Sequence, residues 1–351
     1  MLYVFLAILV SYLVLIFIFY LAWLKIPVFS QNTIGNQHIS VSVVIVFRNE
    51  AANLASLLAD LENQTYPKKL WNVIFIDDFS EDNSYQILEK YKESTDLQLH
   101  ILKNNEFTHI LSPKKRAITQ AVKHSQQELI ICTDADCSFG SEWLGSITNF
   151  YQQSQAYFIS SPVRFEPVQS LFELWQAVEF SSLIGSGAAC IQLGKPTMCN
   201  GANIAYPKKI FESLGGFAGS EHVISGDDEF LMHKIAQKYP QKIHFLKSKA
   251  AIVSTKAAAN LKIFFEQRKR WASKWENYQN PTAKYLALFI FINNLATVIA
   301  GISIFFGGYS EIYYYFAFKF LIEFIFLASV LNFFGQSRLW FWILPLFWVY
   351  P

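Results

Sequence analysis

Paired cysteines are missing from this sequence. Its four, Cys132, Cys137, Cys190 and Cys199, show no CxxC spacing and no partnering HxxxH. That pattern speaks against a zinc site or a disulfide framework and predicts buried, reduced thiols. A charge imbalance is missing too: 29 Lys and Arg against 27 Asp and Glu leave +2, so no electrostatic case exists for nucleic acid as a partner. No internal repeat or low-complexity tract is present. Charge of either sign is absent from residues 1–24 and nearly absent from 285–351, where only Glu311, Lys319, Glu323 and Arg338 carry any.

What fills those stretches is apolar. Hydrophobic residues make up 52% of the chain and aromatics 17%, concentrated at the two ends. Residues 1–24 are long enough, at ~1.5 Å per residue, to cross a ~30 Å hydrocarbon layer. They lack the basic start and small-residue cleavage site of a signal peptide, so a retained transmembrane helix is expected. Apolar runs near 285–306, 312–334 and 339–350 predict two or three further spans, the last one short. Lys319 and Glu323, four apart inside one of these runs, are expected to pair with each other.

Residues 25–284 hold 27 of the basic and 25 of the acidic residues, as a globular region would. Lys25 follows the first apolar run, and Lys262, Arg268, Lys269, Arg270, Lys274 and Lys284 crowd the approach to the second. The positive-inside bias then places the middle region in the cytoplasm of an integral protein of the cell (inner) membrane. The expected division is 1–24 anchor, 38–255 globular domain, 256–284 amphipathic interface segment and 285–351 membrane region.

Within the middle, "ISVSVVIVF" (39–47), residues 71–76, "LQLHIL" (97–102) and 128–133 read as buried strands. Between them lie helical stripes: leucines at 54, 57, 58 and 61, a segment from about Ser84 to Ser94, and one opened by Ser112-Pro113. Strand and helix in alternation with short connections predict an α/β fold with an open, mostly parallel sheet, whose ligands bind beyond the carboxyl ends of the strands. Residues 163–200 contain a long apolar stripe that fits either a core helix or one lying against the membrane.

Acidic pairs recur at element ends. Asp134 and Asp136 follow an apolar strand; on an extended segment residues i and i+2 point the same way, offering two hard oxygen donors to Mg²⁺ or Mn²⁺. A solvated loop is the plainer alternative. Asp77 and Asp78 also end a strand and fit either an Asx turn or a contact to nucleotide hydroxyls, with Glu50 at the neighbouring strand end. Asp227 and Asp228 open a helix, where capping explains one acid; two, after a glycine, suit a general base. "FFEQRKRWASKW" (264–275) looks like an interfacial anchor, yet Arg suits phosphate and Trp suits a sugar face.

Taken in order, "VVIVFRNEAANL", "IDDFSEDNS", "TDADC", "NGANIAYPKKIFESLGGF", "GDDEF" and "QRKRW" resemble the membrane-integrated family 2 glycosyltransferases, which include cellulose, chitin and hyaluronan synthases and the Nod-factor chitooligosaccharide synthase. The resemblance spans about residues 40–275. It implies a GT-A fold, with Asp77 or Asp78 on uridine and Asp134 and Asp136 on metal and diphosphate. It further implies Asp228, with Asp227 beside it, as base, and Gln267, Arg270 and Trp271 along the diphosphate and acceptor entrance. The activity implied is metal-dependent, inverting transfer from a nucleotide-sugar, UDP-linked, to a lipid or glycan acceptor at the membrane. Phe47 stands where the family commonly has Pro, and the C-terminal membrane part is short for a synthase that threads its own polymer. Clustered aspartates would also serve a phospho- or nucleotidyltransferase, and a non-catalytic membrane scaffold is the remaining alternative.

Overall fold

The computed structural model describes residues 2–30, 39–274, 277–278, 280–305, 307 and 310–344. In chain order the elements are α1 (Leu2–Lys25), β1 (Val41–Phe47), α2 (Ala51–Glu62), β2 (Trp71–Asp77), α3 (Ser84–Lys92), β3 (Gln98–Lys103), α4 (Pro113–His124) and β4 (Leu129–Asp134). There follow β5 (Ser138–Phe139), α5 (Trp143–Ser154), β6 (Phe158–Ser160), β7 (Val163–Phe165), α6 (Leu171–Gln192), β8 (Ile204–Pro207) and α7 (Lys208–Ser213). The chain continues with α8 (Asp227–Lys238), β9 (Ile243–Phe245), β10 (Val253–Thr255), α9 (Leu261–Ala272), α10 (Pro281–Ile304) and α11 (Ser310–Phe333).

Two compact units result. One comprises the described parts of Pro27–Pro167 and Met198–Gln279. Its main sheet has seven strands in the order β3-β2-β1-β4-β8-β6-β9, with β3, β2, β1 and β4 mutually parallel and β8 antiparallel to β4 and β6. β1 and β2 are buried along nearly their whole length, as strands covered on both faces must be. The leucine stripe of α2 is buried, and α4 starts where Ser112 Oγ accepts the Lys115 N–H ahead of a favourable Pro113. Register sets the functional edge: Phe47 lies opposite Asp77, and Val46 opposite Asp134, so the two acidic strand ends open on the same side. A small sheet, β5-β10-β7, adjoins Asp136 through β10.

The other unit comprises the described parts of Met1–Ile26, Val168–Thr197 and Asn280–Pro351. Here α6 packs on α1 and α11, which answers the question left open by its sequence: its apolar stripe is spent on the terminal helices. A capping box, Ser170 with Glu173, starts it. Gly185 is the point of closest approach, where an added Cβ would lie 2.7 Å from Val330 Cγ2. Among the described residues, three helices are long and apolar enough to cross a membrane, Phe5–Lys25, Pro281–Ile304 and Ser310–Phe333. The second half of the apolar run expected at 339–350 lies outside the described residues; its first half lies largely in a 3-10 helix, Ser337–Trp342.

All four cysteines are free; Cys132, Cys137 and Cys190 are buried and Cys199 is half-buried. Lys319 and Glu323 do pair, Nζ to Oε1 at 2.6 Å, and the Tyr12 hydroxyl donates to the same carboxylate.

Candidate active site

The first turn of α4 organises the sheet edge. Lys114 Nζ lies 2.6 Å from Asp134 Oδ1 at the end of β4 and 3.8 Å from Asp227 Oδ2 at the start of α8. Burial alone would lower the Lys114 pKa; the negative charges of Asp134 and Asp227 prevail and hold it above the ordinary lysine range. Its neighbour Lys115 turns the other way, donating to the carbonyls of Ser220 (2.8 Å) and Val223 (3.0 Å) and resting on the Phe230 ring. Burial pushes the Lys115 pKa down to about 8. Ser112 Oγ donates to the Ile224 carbonyl at 2.8 Å. The loop leading to Asp227 is thus tied to the helix that meets Asp134.

The acidic pair after β4 is arranged differently from the extended geometry expected. β4 stops at Asp134, and Ala135 and Asp136 form a turn in which the Cys137 N–H reaches the Asp134 carbonyl at 3.2 Å. The chain must reverse there to feed β5, so proximity of the two carboxylates comes from the turn and not from strand alternation. Asp136 Oδ2 accepts from Thr255 Oγ1 of β10 at 3.0 Å. Burial, then the nearby Asp134 charge, raises the Asp136 pKa against that hydrogen bond. Glu50 is raised by burial, opposed by its hydrogen bond from Asn53, with further contributions from Asp136 and Asp134. Glu50, Asp134 and Asp136 therefore share one electrostatic environment.

Asp77 and Asp78 diverge. Asp77 is buried, and its Oδ1 accepts the Ser80 N–H at 2.9 Å, forming the turn foreseen as the plainer reading. Asp78 Oδ1 accepts from Asn104 Nδ2 at 2.6 Å, with Arg116 NH2 at 3.8 Å.

At the start of α8, Gly226 is the N-cap, with a φ of 82°, and no side chain caps the helix. Asp228 Oδ1 accepts the adjacent Glu229 N–H at 2.8 Å. A Cβ added to Gly201 would lie 3.4 Å from both Asp227 Oδ2 and Asp228 Oδ2, so this bare backbone is where the two carboxylates converge. Its motif is held rigidly: buried Asn203 donates to the carbonyls of Pro162 and Ala251 and accepts from Trp143 Nε1. Burial raises the Asp227 pKa, with Lys114 opposing.

On α9, Gln267 Oε1 accepts from Arg268 NH1 at 3.0 Å, and the Arg268 guanidinium stacks over the rings of Phe264 and Trp271. Arg270 is exposed. This segment reaches the acidic helix start through Lys274, whose Nζ is 3.2 Å from Glu229 Oε2.

Sequence reading missed Lys114, Thr255, Gly201 and Lys274. Gly201 and Lys274 stood in quoted stretches, Lys274 only as one of the basic residues ahead of the second apolar run; both lysines resemble solvated charges until the fold brings acids to them. Among the described residues no group of three or more His, Cys, Asp or Glu side chains forms a metal cage. The Asp134–Asp136 pair still suits Mg²⁺ or Mn²⁺: two hard carboxylates whose repulsion a cation would relieve, with other positions left for water and phosphate.

Comparison with known proteins places this arrangement. The model of "Glycosyl transferase family 2" matches residues 42–215, and that of "Glycosyl transferase family group 2" matches 129–350. Glycosyltransferase AglE of Haloferax volcanii is 24% identical over 188 residues, 54% of this chain and 58% of its own. The beta-monoglucosyldiacylglycerol synthase of Trichormus variabilis is 26% identical over 235 residues, 66% of this chain and 48% of its own. The chain thus spans about half the length of these curated relatives. Among solved structures, a mannosyltransferase of Pyrobaculum calidifontis, in complex with GDP-Man and Mn²⁺, superposes with a TM-score of 0.60 at 17% identity, covering 99% of each chain. That likeness is one of fold.

Proposed function

Since the chain belongs to the family 2 glycosyltransferases, enzymes acting on nucleotide sugars, we propose that it moves a sugar, with inversion, from a UDP-linked hexose or N-acetylhexosamine to a hydroxyl of a lipid or growing glycan at the membrane. The observation that carries this reading is Lys114 between Asp134 and Asp227, which draws acids nearly a hundred residues apart to the carboxyl edge of the sheet. Ligands of open α/β sheets bind at that edge.

The donor's nucleoside sits against Asp77, Asp78 and Glu50. Asp228 takes the proton of the acceptor hydroxyl; the oxygen then bonds to the anomeric carbon as the bond to the diphosphate breaks on the opposite face. Asp228 is suited to this by its orientation on the Glu229 N–H at the start of α8. Lys114 and Arg270 offset charge on the departing diphosphate, and Gln267 and Trp271 flank the entrance. Asp134 and Asp136 would hold Mg²⁺ or Mn²⁺, which when bound supplies further positive charge to the leaving group. The apolar helices retain the enzyme in the cell membrane, with the catalytic unit on the cytoplasmic side by the distribution of basic residues.

The test is to incubate the purified full chain with a panel of UDP- and GDP-sugars and membrane lipids or short glycans, with and without Mn²⁺, and to weigh the products. A product heavier by one or more sugar residues, with nucleoside diphosphate released, supports the reading. Transfer of phosphate or nucleotide would reassign the site, and a folded protein inert toward every donor would point to a scaffold.

A further inference from the structure

Glu229, Lys274 and Tyr278 form a buried cluster that the reaction above leaves unused. Lys274 Nζ is 3.2 Å from Glu229 Oε2, and the Tyr278 hydroxyl donates to the same oxygen. The Lys274 stem covers the other end of the turn: a Cβ on Gly226, the N-cap of α8, would lie 3.1 Å from Lys274 Cδ. Lys274 thus spans the first turn of α8 from Gly226 to Glu229, and the Asp227–Asp228 pair lies inside that span. Glu229 is also the residue whose N–H orients the Asp228 carboxylate. Phe230 and His233, further along α8, pack against the Tyr278 ring at 5.9 and 5.6 Å between centroids. The charged and titratable groups facing this cluster are Asp227, Asp228 and His233 on α8, Lys274 and Tyr278 after α9, Lys114 and Lys115 on α4, and Cys199 ahead of β8.

We propose that Lys274 is a positioning residue for sugar transfer: latched on Glu229 and Tyr278, its ammonium fixes the first turn of α8 and so keeps the Asp228 carboxylate in the orientation a base needs. The inference rests on the glycosyl-transfer reading. It gives the chain just after the QRKRW helix a task of its own, holding the base from outside its own helix. The supporting electrostatics run the same way. Burial raises the Glu229 pKa to about 7 against the pull of Lys274, and the charges of Asp228 and Glu229 hold Lys274 above its ordinary range in spite of burial.

The experiment measures kcat and KM against pH for the full-length enzyme and for Lys274→Met, Lys274→Arg and Glu229→Gln. Removing the positive charge from the acidic turn should move the acid limb of kcat to higher pH, with about threefold or less change in donor KM. Removing the negative charge in Glu229→Gln should move the acid limb the opposite way, and Lys274→Arg should restore the wild-type limb. A purely structural role would lower kcat by the same factor at every pH or move both limbs together, and either result overturns the proposal. A second measurement, the thermal melt of each variant, guards against misfolding: if Lys274→Met does not fold, the shift of the acid limb to lower pH in Glu229→Gln is still required. Wild type that transfers no sugar would sink the glycosyl-transfer reading itself, an outcome distinct from unshifted limbs in an active enzyme.

Discussion

Lys114 and Asp134 share an ion pair, Nζ to Oδ1 at 2.6 Å, at the spot where a cation bound to Asp134 would draw on the same carboxylate. The ammonium would therefore compete with a metal held there. Lys114→Met is expected to tighten Mn²⁺ binding several-fold by titration calorimetry while lowering kcat/KM at least ~10-fold, because the leaving diphosphate loses a positive charge. Unchanged Mn²⁺ affinity would show that the pair and the metal do not meet.

Asp136 depends on Thr255. Asp136→Ala should abolish transfer in a protein that still folds. Thr255→Val removes the hydrogen bond that opposes the rise of the Asp136 pKa, so a larger fraction of Asp136 is protonated as pH falls. Initial rates relative to wild type should fall progressively as pH is lowered and approach wild type at pH 8. A loss equal at every pH would assign Thr255 a packing role only.

Gly226 cannot take a side chain without cost. Its φ is 82°, and a Cβ would lie 2.8 Å from Phe230 Cε2. Gly226→Ala should destabilise the catalytic unit by about 1–3 kcal/mol and impair transfer by displacing Asp227 and Asp228. Chemical denaturation and steady-state rates check both, and a variant of wild-type stability would contradict the geometry.

Glu229 makes stability pH-dependent. Its pKa is raised by burial to about 7 in the folded protein from an ordinary 4.5, so the folded state holds the proton more tightly than the unfolded one. Its contribution is fully present below about pH 4.5 and is lost as pH rises through about 7. The melting temperature of wild type relative to Glu229→Gln should fall across that window. A constant difference would mean the carboxyl titrates normally.

In the helical unit, buried Lys319 pairs with half-buried Glu323, whose carboxylate also accepts from Tyr12. Lys319→Met leaves the acid without its cation and should cost on the order of 3 kcal/mol, whereas Lys319→Met/Glu323→Gln, whose amide still accepts from Tyr12, should recover most of it. Thermal melts in detergent distinguish these. Equal loss in both variants would place the cost in packing and not in charge.

Local chemistry was legible along the chain because it acts over few residues. The leucines of α2, the β-branched run of β1 and Ser112-Pro113 ahead of α4 obey periods and capping rules that need no tertiary partner, and they were enough for the parallel α/β sheet. The strand-end positions of Asp77 and Asp134 followed from the same periodicity, and parallel register then set both on one edge. Three matters had no local signature. α6 reads alike as core or membrane-facing until α1 and α11 close on it, since an apolar stripe does not name what covers it. Asp136 reads as an extended neighbour of Asp134 until the chain has to turn into β5. Lys114 and Lys274 look like ordinary solvated charges, because a salt bridge between residues more than a hundred apart, such as Lys114 and Asp227, or from beyond one helix to the start of another, exists only once the backbone has brought them within 4 Å. Sequence alone determined which carboxylates the edge of the sheet would carry; the tertiary structure decided which lysines neutralise them, because Coulomb attraction depends on distance in space and not along the chain.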